Sequence, residues 1–239
     1  MEKRNSLTII IPAFDENTNL RWLIPEVSKQ LNNLRLVDSK ILVVMRVDES
    51  DDSLNFIRSL GALSIRRVGD NNFGSAIKTG ITYSLKSTTH TLFMDADGSH
   101  SPNSIPKLWA TAISTKADVV IASRYTKGGS TANSFLQIQM SRILNTIYAL
   151  VLGIDVRDVS TNFKIYKTSL FAEIVLKCNN YDIVEELLLK IQKRKKQLTI
   201  IEIPDHFEER KFGQSKRKLT LFIASYLVTL LRLRFSRDR

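Results

Sequence analysis

Residues 91–108 read TLFMDADGSHSPNSIPKL, and this stretch decides the fold. The apolar run TLFM predicts a buried strand over 91–94, and the pattern after it predicts a helix over 104–114. Two acids, Asp95 and Asp97, stand between them, one residue apart. A strand that ends in acids and is followed at once by a helix is typical of an α/β protein with its site at the strand ends.

The alternation of strand and helix continues on both sides of this stretch. Short β-branched runs predict strands, and apolar residues at helical spacing predict helices. Strands separated by helices favour a mostly parallel central sheet with helices on both faces. We predict strands over 7–12, 41–47, 63–68, 118–122 and 198–204, an extended piece over 162–166, and helices over 19–34, 52–60, 75–85, 135–152, 168–176 and 183–194.

No internal repeat and no linker rich in Pro, Gly or Ser divides the chain, so we predict one domain over 1–215 and an appendage over 216–239. The appendage contains LTLFIASYLVTLL, 13 residues without a charge, between basic residues. As a helix this run is about 20 Å long, and a membrane-crossing helix needs about 20 residues. The pattern predicts a basic amphipathic helix near 216–235 that either lies on a membrane or packs on the core.

Positive charge is concentrated at the C-terminal end. Residues 190–239 hold 14 Lys and Arg against 5 Asp and Glu, so +9 of the formal net charge of +11 lies there. A basic end on a nearly neutral body indicates an anionic partner, such as an anionic membrane surface or a phosphorylated substrate. Nucleic acid is disfavoured because the basic run KIQKRKKQL (190–198) has no aromatic residue to stack on bases.

Cysteine content and the first residues bear on the compartment. Cys178 is the only cysteine, so the chain cannot form an internal disulfide. The N-terminal stretch MEKRNSLTIIIPAFDEN lacks the apolar region and cleavage site of a signal peptide. Together with the basic end, these features predict a cytoplasmic protein that is peripheral on the cytoplasmic face of a membrane.

Acidic residues follow the first two predicted strands. The first exit loop, PAFDEN, has no glycine, which excludes the common phosphate-binding loops and disfavours a sugar nucleotidyltransferase. Phe14 is suited to line a base, and Glu16 is suited to accept from ribose hydroxyls. The second loop, VDESDDS, offers four acids to the N–H donors of a base, although acids also suit the first turn of a helix.

The pair Asp95 and Asp97 is the sharpest chemical signal in the chain. Two carboxylates this close repel each other, and a divalent cation relieves the repulsion. Mg²⁺ is typically held by one or two carboxylates together with substrate phosphates. Cations later in the chain suit those phosphates, although each is alternatively an ordinary surface charge: Arg124, Arg142, Arg210 and Lys216.

Seven motifs occur in order: IPAFDEN, VDESDDS, NFGSA, MDADGSHSPNSIPKL, IASRYTKGG, NFKIYK and FEERKFGQSK. In this order they resemble the motifs of inverting family 2 glycosyltransferases with the GT-A fold. The resemblance spans about residues 6–218 and is strongest to the branch of dolichyl-phosphate mannose synthases and bacterial polyprenyl-phosphate glycosyltransferases. It implies transfer of a sugar from a nucleotide-sugar donor, GDP-mannose or a UDP-hexose, to a polyprenyl-phosphate acceptor.

The resemblance also implies roles for the residues that match the motifs. Mg²⁺ or Mn²⁺ would be held with the donor diphosphate by Asp95, Asp97 and Ser99, with Asp97 among the catalytic groups. The base and ribose would contact Pro12, Phe14, Glu16 and Asp48. The donor diphosphate and the acceptor phosphate would face Arg124, Arg142, Arg210 and Lys216, of which Arg124, Arg210 and Lys216 would be catalytic with Asp97.

Three positions depart from the family pattern. Phe14 replaces the usual tyrosine, and VDESDDS is shorter than its usual counterpart, so both bear on which nucleotide is bound. Asn162 stands where a glycine is usual and bears on the shape of the acceptor side.

Two kinds of acceptor are compatible with the sequence. A lipid phosphate is already anionic and needs no strong base. A saccharide hydroxyl needs a carboxylate base, for which Asp182, Glu185 and Glu186 are candidates, although these acids also suit a helix start. A non-catalytic relative that binds a membrane surface fits the basic end but not the retained Asp95 and Asp97. For the enzyme, a membrane-protein partner and a homo-oligomer are both compatible with the sequence.

Overall fold

A computed structural model of the chain describes residues 5–210, apart from residues 35, 37 and 196. The predicted C-terminal helix, Lys216 and the predicted boundary after residue 215 lie outside the described residues. Within the described part of the chain, no helix is both long and apolar enough to cross a membrane.

The strands are β1 (Leu7–Pro12), β2 (Ser39–Met45), β3 (Leu63–Arg66), β4 (His90–Phe93), β5 (Val119–Ser123), β6 (Ser130–Thr131), β7 (Lys164–Lys167), β8 (Ile200–Pro204) and β9 (His206–Phe207). The helices are α1 (Asn17–Asn33), α2 (Asp51–Ser59), α3 (Phe73–Ser84), α4 (Ile105–Thr115), α5 (Phe135–Leu152) and α6 (Ile183–Arg194).

Seven strands form one sheet in the order β3-β2-β1-β4-β7-β5-β8. The pairs on either side of β1 are parallel, with Ile9 opposite Ile41 of β2 and Leu92 of β4. Strand β7 runs antiparallel to both of its neighbours, β4 and β5. The prediction of a mostly parallel sheet is confirmed.

Helices cover both faces of the sheet because the side chains of successive strand residues point to opposite faces. Ile9 and Ile11 of β1 pack in the core layer that holds the apolar sides of α1, α2 and α4. Ile10 packs in the other layer, with α3, α5 and α6. Helix α3 approaches β1 so closely that a Cβ on Gly80 would lie 2.6 Å from the Cγ2 atom of Ile10.

The structure corrects two local predictions. The helix predicted over 168–176 is a single 3₁₀ turn, Thr168–Phe171, and the chain then turns at Glu173, whose φ of 60° is incompatible with a continuing helix. Asp51 is a preferred capping residue, and the sequence predicts it as the cap of α2; the structure instead has Ser50 there, whose hydroxyl accepts from the N–H of Ser53.

Two strands of only two residues each, β6 and β9, pair in parallel and were not predicted. Strands this short leave no alternating pattern in the sequence. Their pairing brings the end of the described chain beside the start of α5, where the N–H of Ala132 donates to the carbonyl of Phe207 at 2.9 Å.

Candidate active site

The parallel strands β2, β1 and β4 are neighbours, so the loops that leave their carboxyl ends meet at one edge of the sheet. Side chains from these loops form two groups. The first group, called here the Arg46 cluster, consists of Phe14, Asp15, Arg46, Asp48 and Asn71. The second group lines a cleft, and Asp95 is one of the residues on the wall of this cleft.

In the Arg46 cluster one guanidinium joins the first two exit loops. Arg46 donates to Asp15 at 2.9 Å and to both carboxylate oxygens of Asp48 at 3.1 and 2.7 Å, and it lies 5.0 Å from the centre of the Phe14 ring. Hydrogen bonds from Arg46 and then from Asn71 lower the pKa of Asp48 to about 2. The cluster joins the predicted residues Phe14 and Asp48 through Arg46, which sequence reasoning missed although it directly follows β2.

Arg67, also missed, fixes the loops beneath this cluster. Its buried guanidinium donates to the carbonyls of Ala13, Met45 and Asn72, the last two at 2.9 Å. Burial lowers the pKa of Arg67. Because these carbonyls belong to three separate segments, the loop after β1, the end of β2 and the start of α3, Arg67 holds the segments in one arrangement. The predicted residue Pro12 is buried just before Ala13 as the last residue of β1.

The two acids after β4 have different partners. Asp97 Oδ1 accepts from the N–H of Ser99 at 3.0 Å and from its hydroxyl at 2.6 Å. Burial opposes the charge on Asp97, but these two hydrogen bonds, with the nearby positive charge of Arg210, keep its pKa below the usual value. Asp95 Oδ1 instead accepts from the side-chain amide of Asn162 at 3.0 Å.

His100 packs under this loop. Its Nδ1 atom accepts from the N–H of Asp95 at 3.1 Å, and its ring stacks on Phe163 with a centroid distance of 4.8 Å. The Nε2 atom lies 3.9 Å from a carboxylate oxygen of Asp95. The imidazole therefore positions the loop that holds Asp95 and is buried with it.

The oxygen ligands at the end of β4 suit a divalent cation only together with ligands from a substrate. Among the described residues no three His, Cys, Asp or Glu side chains converge on a possible metal site. Two carboxylates supplemented by substrate phosphates are what Mg²⁺ typically uses, so Asp95 and Asp97 suit a cation that arrives with its substrate. The Ser99 hydroxyl donates to Asp97, so its role as a metal ligand stays a prediction.

Residues far apart in the sequence meet where Arg210 pairs with Glu16. The other carboxylate oxygen of Glu16 accepts from Asn19 at 2.6 Å. The structure thus brings Arg210 to the first exit loop and within electrostatic reach of Asp97, as a site built from both residues requires. Lys216, predicted to act beside Arg210, lies outside the described residues.

On the cleft wall, Arg124 is held by a buried carboxylate. Its guanidinium donates to both oxygens of Asp158, at 2.8 and 2.6 Å. Burial alone would raise the pKa of Asp158, but the charge and hydrogen bonds of Arg124 lower it. The exposed Arg142 lies 5.5 Å from the centre of the Tyr125 ring, and Arg124 lies 5.0 Å from the same ring. Arg124 and Arg142 are therefore neighbours, as predicted for groups that share a phosphate region.

A buried lysine supports the loop that carries Asn162. Lys164 is fully buried, and its ammonium donates to the carbonyls of Val159, at 3.0 Å, and Thr161. Burial lowers the pKa of Lys164 to about 8. Sequence reasoning noted Asn162 as unusual but did not place it against Asp95.

The acids proposed as a base for a hydroxyl acceptor are engaged in the fold. Glu186 accepts from the N–H groups of Lys177 and Cys178, at 2.7 to 3.0 Å, and pairs with Lys190 at 3.0 Å. Glu185 is fully buried. Asp182 immediately precedes α6, and its carboxylate accepts from the N–H of Asn180 at 3.2 Å.

The fold is that of nucleotide-sugar transferases. Glucosyl-3-phosphoglycerate synthase from Mycobacterium tuberculosis, in a crystal structure with Mn²⁺, UDP-glucose and phosphoglyceric acid, superposes with a TM-score of 0.73. The match covers 98% of this chain and 81% of that one at 17% identity, and it confirms the GT-A fold.

The family is shown by the sequence match. The model of glycosyl transferase family 2 matches residues 8–175, more than half of the chain. The protein therefore belongs to glycosyl transferase family 2 and is a glycosyltransferase. This result removes the sugar nucleotidyltransferase as an alternative.

Two curated relatives extend the comparison. A polyprenol monophosphomannose synthase from Mycolicibacterium smegmatis is 27% identical over 87% of this chain and 79% of its own length. A dolichol-phosphate mannosyltransferase from Pyrococcus furiosus is 30% identical over 89% of this chain. The match spans only 59% of that second relative's length.

Proposed function

We propose that this family 2 glycosyltransferase moves a mannosyl group, with inversion, from a nucleotide sugar to a polyprenyl phosphate. The observation that carries the proposal is the cleft, in which Asp95 of the acid pair and Arg124 line one cavity. Asp95, which suits a cation, and Arg124, which is fixed in place, therefore face the same space. Transfer of a sugar from a diphosphate donor to a phosphate acceptor requires such charges at both substrates. The names of the two curated relatives support the mannosyl donor and the lipid acceptor.

The donor's nucleoside would bind at the Arg46 cluster. Phe14 offers an aromatic face, Asp48 and Glu16 offer acceptors for base N–H and ribose hydroxyls, and Arg46 offers a donor for a carbonyl. GDP-mannose and UDP-hexoses both satisfy these groups, and the relatives' names favour mannose. Pro12 would line the same pocket below the base.

The cation would lie at Asp95 and Asp97, with Ser99 beside them. Asp95 and Asp97 would hold Mg²⁺ or Mn²⁺ there, and the cation would supply positive charge for the departing diphosphate. The crystal structure of the synthase from M. tuberculosis contains Mn²⁺ with its UDP-glucose, which supports this assignment. Arg210, and Lys216 after it, would add positive charge around the diphosphate.

The acceptor would be a phosphate and not a hydroxyl. A phosphate oxygen attacks the anomeric carbon, the bond to the nucleoside diphosphate breaks, and no strong base is needed. Glu186 is bound by two N–H groups and Lys190, and Glu185 is fully buried, so neither is placed as a ready base. Arg124 and Arg142 would receive the acceptor phosphate.

An enzyme with a lipid acceptor must meet that acceptor at the surface of a bilayer. The basic C-terminal end, with +9 over residues 190–239, suits an anionic leaflet. We therefore place the enzyme peripherally on the cytoplasmic face of a membrane.

The test is a transfer assay with purified protein. We expect mannose to pass from GDP-mannose to polyprenyl phosphate with Mg²⁺ or Mn²⁺, and transfer to stop when EDTA removes the metal. A thermal-shift series with GDP and UDP identifies the base, because a ligand that binds only the native state raises its stability. Transfer at an undiminished rate in EDTA would contradict the metal assignment.

Matched variants assign the residues. Asp97→Ala and Arg210→Ala should lower kcat by about 100-fold or more, as loss of a group that stabilises developing charge usually does. Circular dichroism should be unchanged because both residues lie in loops. The control is Glu26→Ala, an exposed acid on α1, which should keep wild-type activity. Activity of either loop variant within a few-fold of the control would overturn its role.

A further inference from the structure

Ser160 lies on the wall of the cleft, in the loop that precedes β7. Its side chain is half-buried and lines the same cavity as Asp95 and Arg124. The same short loop carries Asp158, which holds Arg124, and Asn162, which donates to Asp95. The Ser160 hydroxyl therefore stands between the arginine and the acid pair of the site.

Two side chains donate to the oxygen of Ser160. Arg124 Nη2 lies 3.0 Å from Ser160 Oγ, and Asn145 Nδ2 lies 3.1 Å from it. The N–H of Ser160 donates to Asn145 Oδ1 at 3.0 Å, which fixes the orientation of the Asn145 amide. Guanidinium and amide nitrogens only donate, so both lone pairs of the Ser160 oxygen are occupied.

The hydrogen of the Ser160 hydroxyl is left to donate. A serine hydroxyl carries one hydrogen besides its two lone pairs. Within the described part of the chain this hydroxyl donates to no protein atom. Because its lone pairs face Arg124 and Asn145, its hydrogen points away from both, and the open space that Ser160 lines is the cleft.

The surroundings of this hydrogen suit a phosphate oxygen. Arg124 places a positive charge beside the hydroxyl, and phosphate oxygens accept strongly from charged and neutral donors together. Both donors are held in advance, Arg124 by the buried Asp158 and Ser160 by the buried Asn145 of α5. A ligand phosphate thus meets a serine and an arginine that are already in place.

We propose that Ser160 binds the acceptor phosphate by donating its hydroxyl hydrogen to a phosphate oxygen beside Arg124. The inference rests on the proposed function and adds a binding residue on the acceptor side. Ser160 belongs to that side because it bonds Arg124, which shares the ring of Tyr125 with Arg142. The donor diphosphate belongs with Asp97 and Arg210.

The first experiment measures binding by titration calorimetry with the full chain. The probe is geranyl phosphate, a short, water-soluble isoprenyl phosphate, added after Mg²⁺ and saturating GDP or UDP, whichever raises thermal stability, have filled the diphosphate site. We expect Ser160→Ala to raise the dissociation constant about 10- to 100-fold, as loss of a hydrogen bond to a charged group does. Ser160→Thr keeps the hydroxyl and should stay within about threefold of the wild type.

The matched control is Ser64→Ala. Ser64 is a buried serine whose hydroxyl donates to the carbonyl of Leu54 at 2.8 Å, between α2 and β3. Its loss should affect stability but leave the affinity for geranyl phosphate unchanged. Ser160→Ala should remain folded in urea denaturation, because Arg124 keeps Asp158 and Asn145 keeps the carbonyl of Ser141 at 2.9 Å.

A second assay separates a binding role from a general loss of structure. In transfer of mannose to polyprenyl phosphate, Ser160→Ala should raise KM for the acceptor by the same factor and leave KM for the nucleotide sugar unchanged. If the wild type binds geranyl phosphate but transfers no mannose, the proposed function fails, and the calorimetric comparison still decides the role of Ser160.

Three outcomes overturn the proposal. The first is equal affinity of Ser160→Ala and the control for geranyl phosphate, which would mean that only water accepts from this hydroxyl. The second is an equal loss of affinity for the nucleoside diphosphate with Mg²⁺, which would assign Ser160 to the donor. The third is binding by Ser160→Thr as weak as by Ser160→Ala, since the hydroxyl would then not be the group that matters.

Discussion

Two arginine–aspartate pairs at strand ends, Arg46 with Asp48 and Arg124 with Asp158, have nearly the same geometry and opposite surroundings. In each, both carboxylate oxygens accept from one guanidinium. The side chains of the first pair are 31% and 57% exposed, and those of the second are 11% and 0% exposed. Water screens the first pair and leaves it weak, whereas the second is locked because its aspartate has no water to replace the arginine.

This difference in solvent exposure gives the Arg46 cluster and the cleft wall around Arg124 different properties. Arg46 can leave Asp15 and Asp48 for a ligand because water solvates the carboxylates that it releases. Arg124 cannot leave Asp158, because the carboxylate of Asp158 would then be a buried charge without a partner. The Arg46 cluster can thus rearrange, while Arg124 on the cleft wall is fixed in place.

The largest effect is expected for Asp158→Ala. Removing the carboxylate leaves Arg124 without its buried partner and should lower the free energy of unfolding by about 3–5 kcal/mol. Urea denaturation measures it. Asp158→Asn, which keeps the size and part of the hydrogen bonding, should lose less. A loss below about 1 kcal/mol in Asp158→Ala would break the comparison, because the buried pair would then behave like an exposed one.

A buried histidine at the other end of β4, away from both regions, predicts a pH effect on stability. His90 starts β4, opposite Lys167 of β7, and burial followed by the Lys167 charge lowers its pKa to about 4. An unfolded histidine has a pKa of about 6.5, so between pH 6.5 and 4 the unfolded state binds more protons. The free energy of unfolding should therefore fall as the pH falls through this window, by up to about 3 kcal/mol.

The variant His90→Phe isolates this contribution. Its difference in free energy of unfolding from the wild type should shift with pH between 6.5 and 4, measured by urea denaturation at several pH values. His206→Phe, at an exposed histidine, is the comparison variant. A constant difference for His90→Phe would mean that His90 titrates normally in the fold.

A smaller effect on stability is expected at Gly74, where the start of α3 packs on the backbone of residues 178–179. A Cβ on Gly74 would lie 2.7 Å from the backbone of Cys178 and Asn179, and neither atom can move independently. Gly74→Ala should cost about 1–3 kcal/mol of stability. Thr82→Ala, on the exposed side of the same helix, controls for helix propensity and should be nearly neutral. An unchanged free energy of unfolding in Gly74→Ala would show that the backbone at this contact can move to make room for the methyl group.

The smallest effect on stability is expected for Arg46→Ala. The pair with Asp48 is solvent-exposed, so the free energy of unfolding should not change measurably. Binding of the nucleoside diphosphate should weaken, which titration calorimetry measures. A double-mutant cycle of Arg46→Ala with Asp48→Ala should give little coupling in stability. Strong coupling would show that the exposed pair resembles the buried one.

Much of the fold could be predicted from the sequence because its signals are local. The apolar run TLFM and the helical pattern of 135–152 each form the predicted element, and α5 and α6 have the predicted bounds. The prediction at 168–176 failed because the chain turns at Glu173 in a conformation that helical spacing does not encode.

The sequence by itself determined the strand-and-helix alternation, the acids Asp95 and Asp97 at a strand end, and the motif order that identifies the family. Only the tertiary structure decided which groups pair: Arg46 with Asp48, Arg210 with Glu16, Asn162 with Asp95, and Arg124 with Asp158. The physical reason is that hydrophobic periodicity and capping act over a few residues, whereas a charge takes its partner and its solvation from chain segments up to 194 positions away.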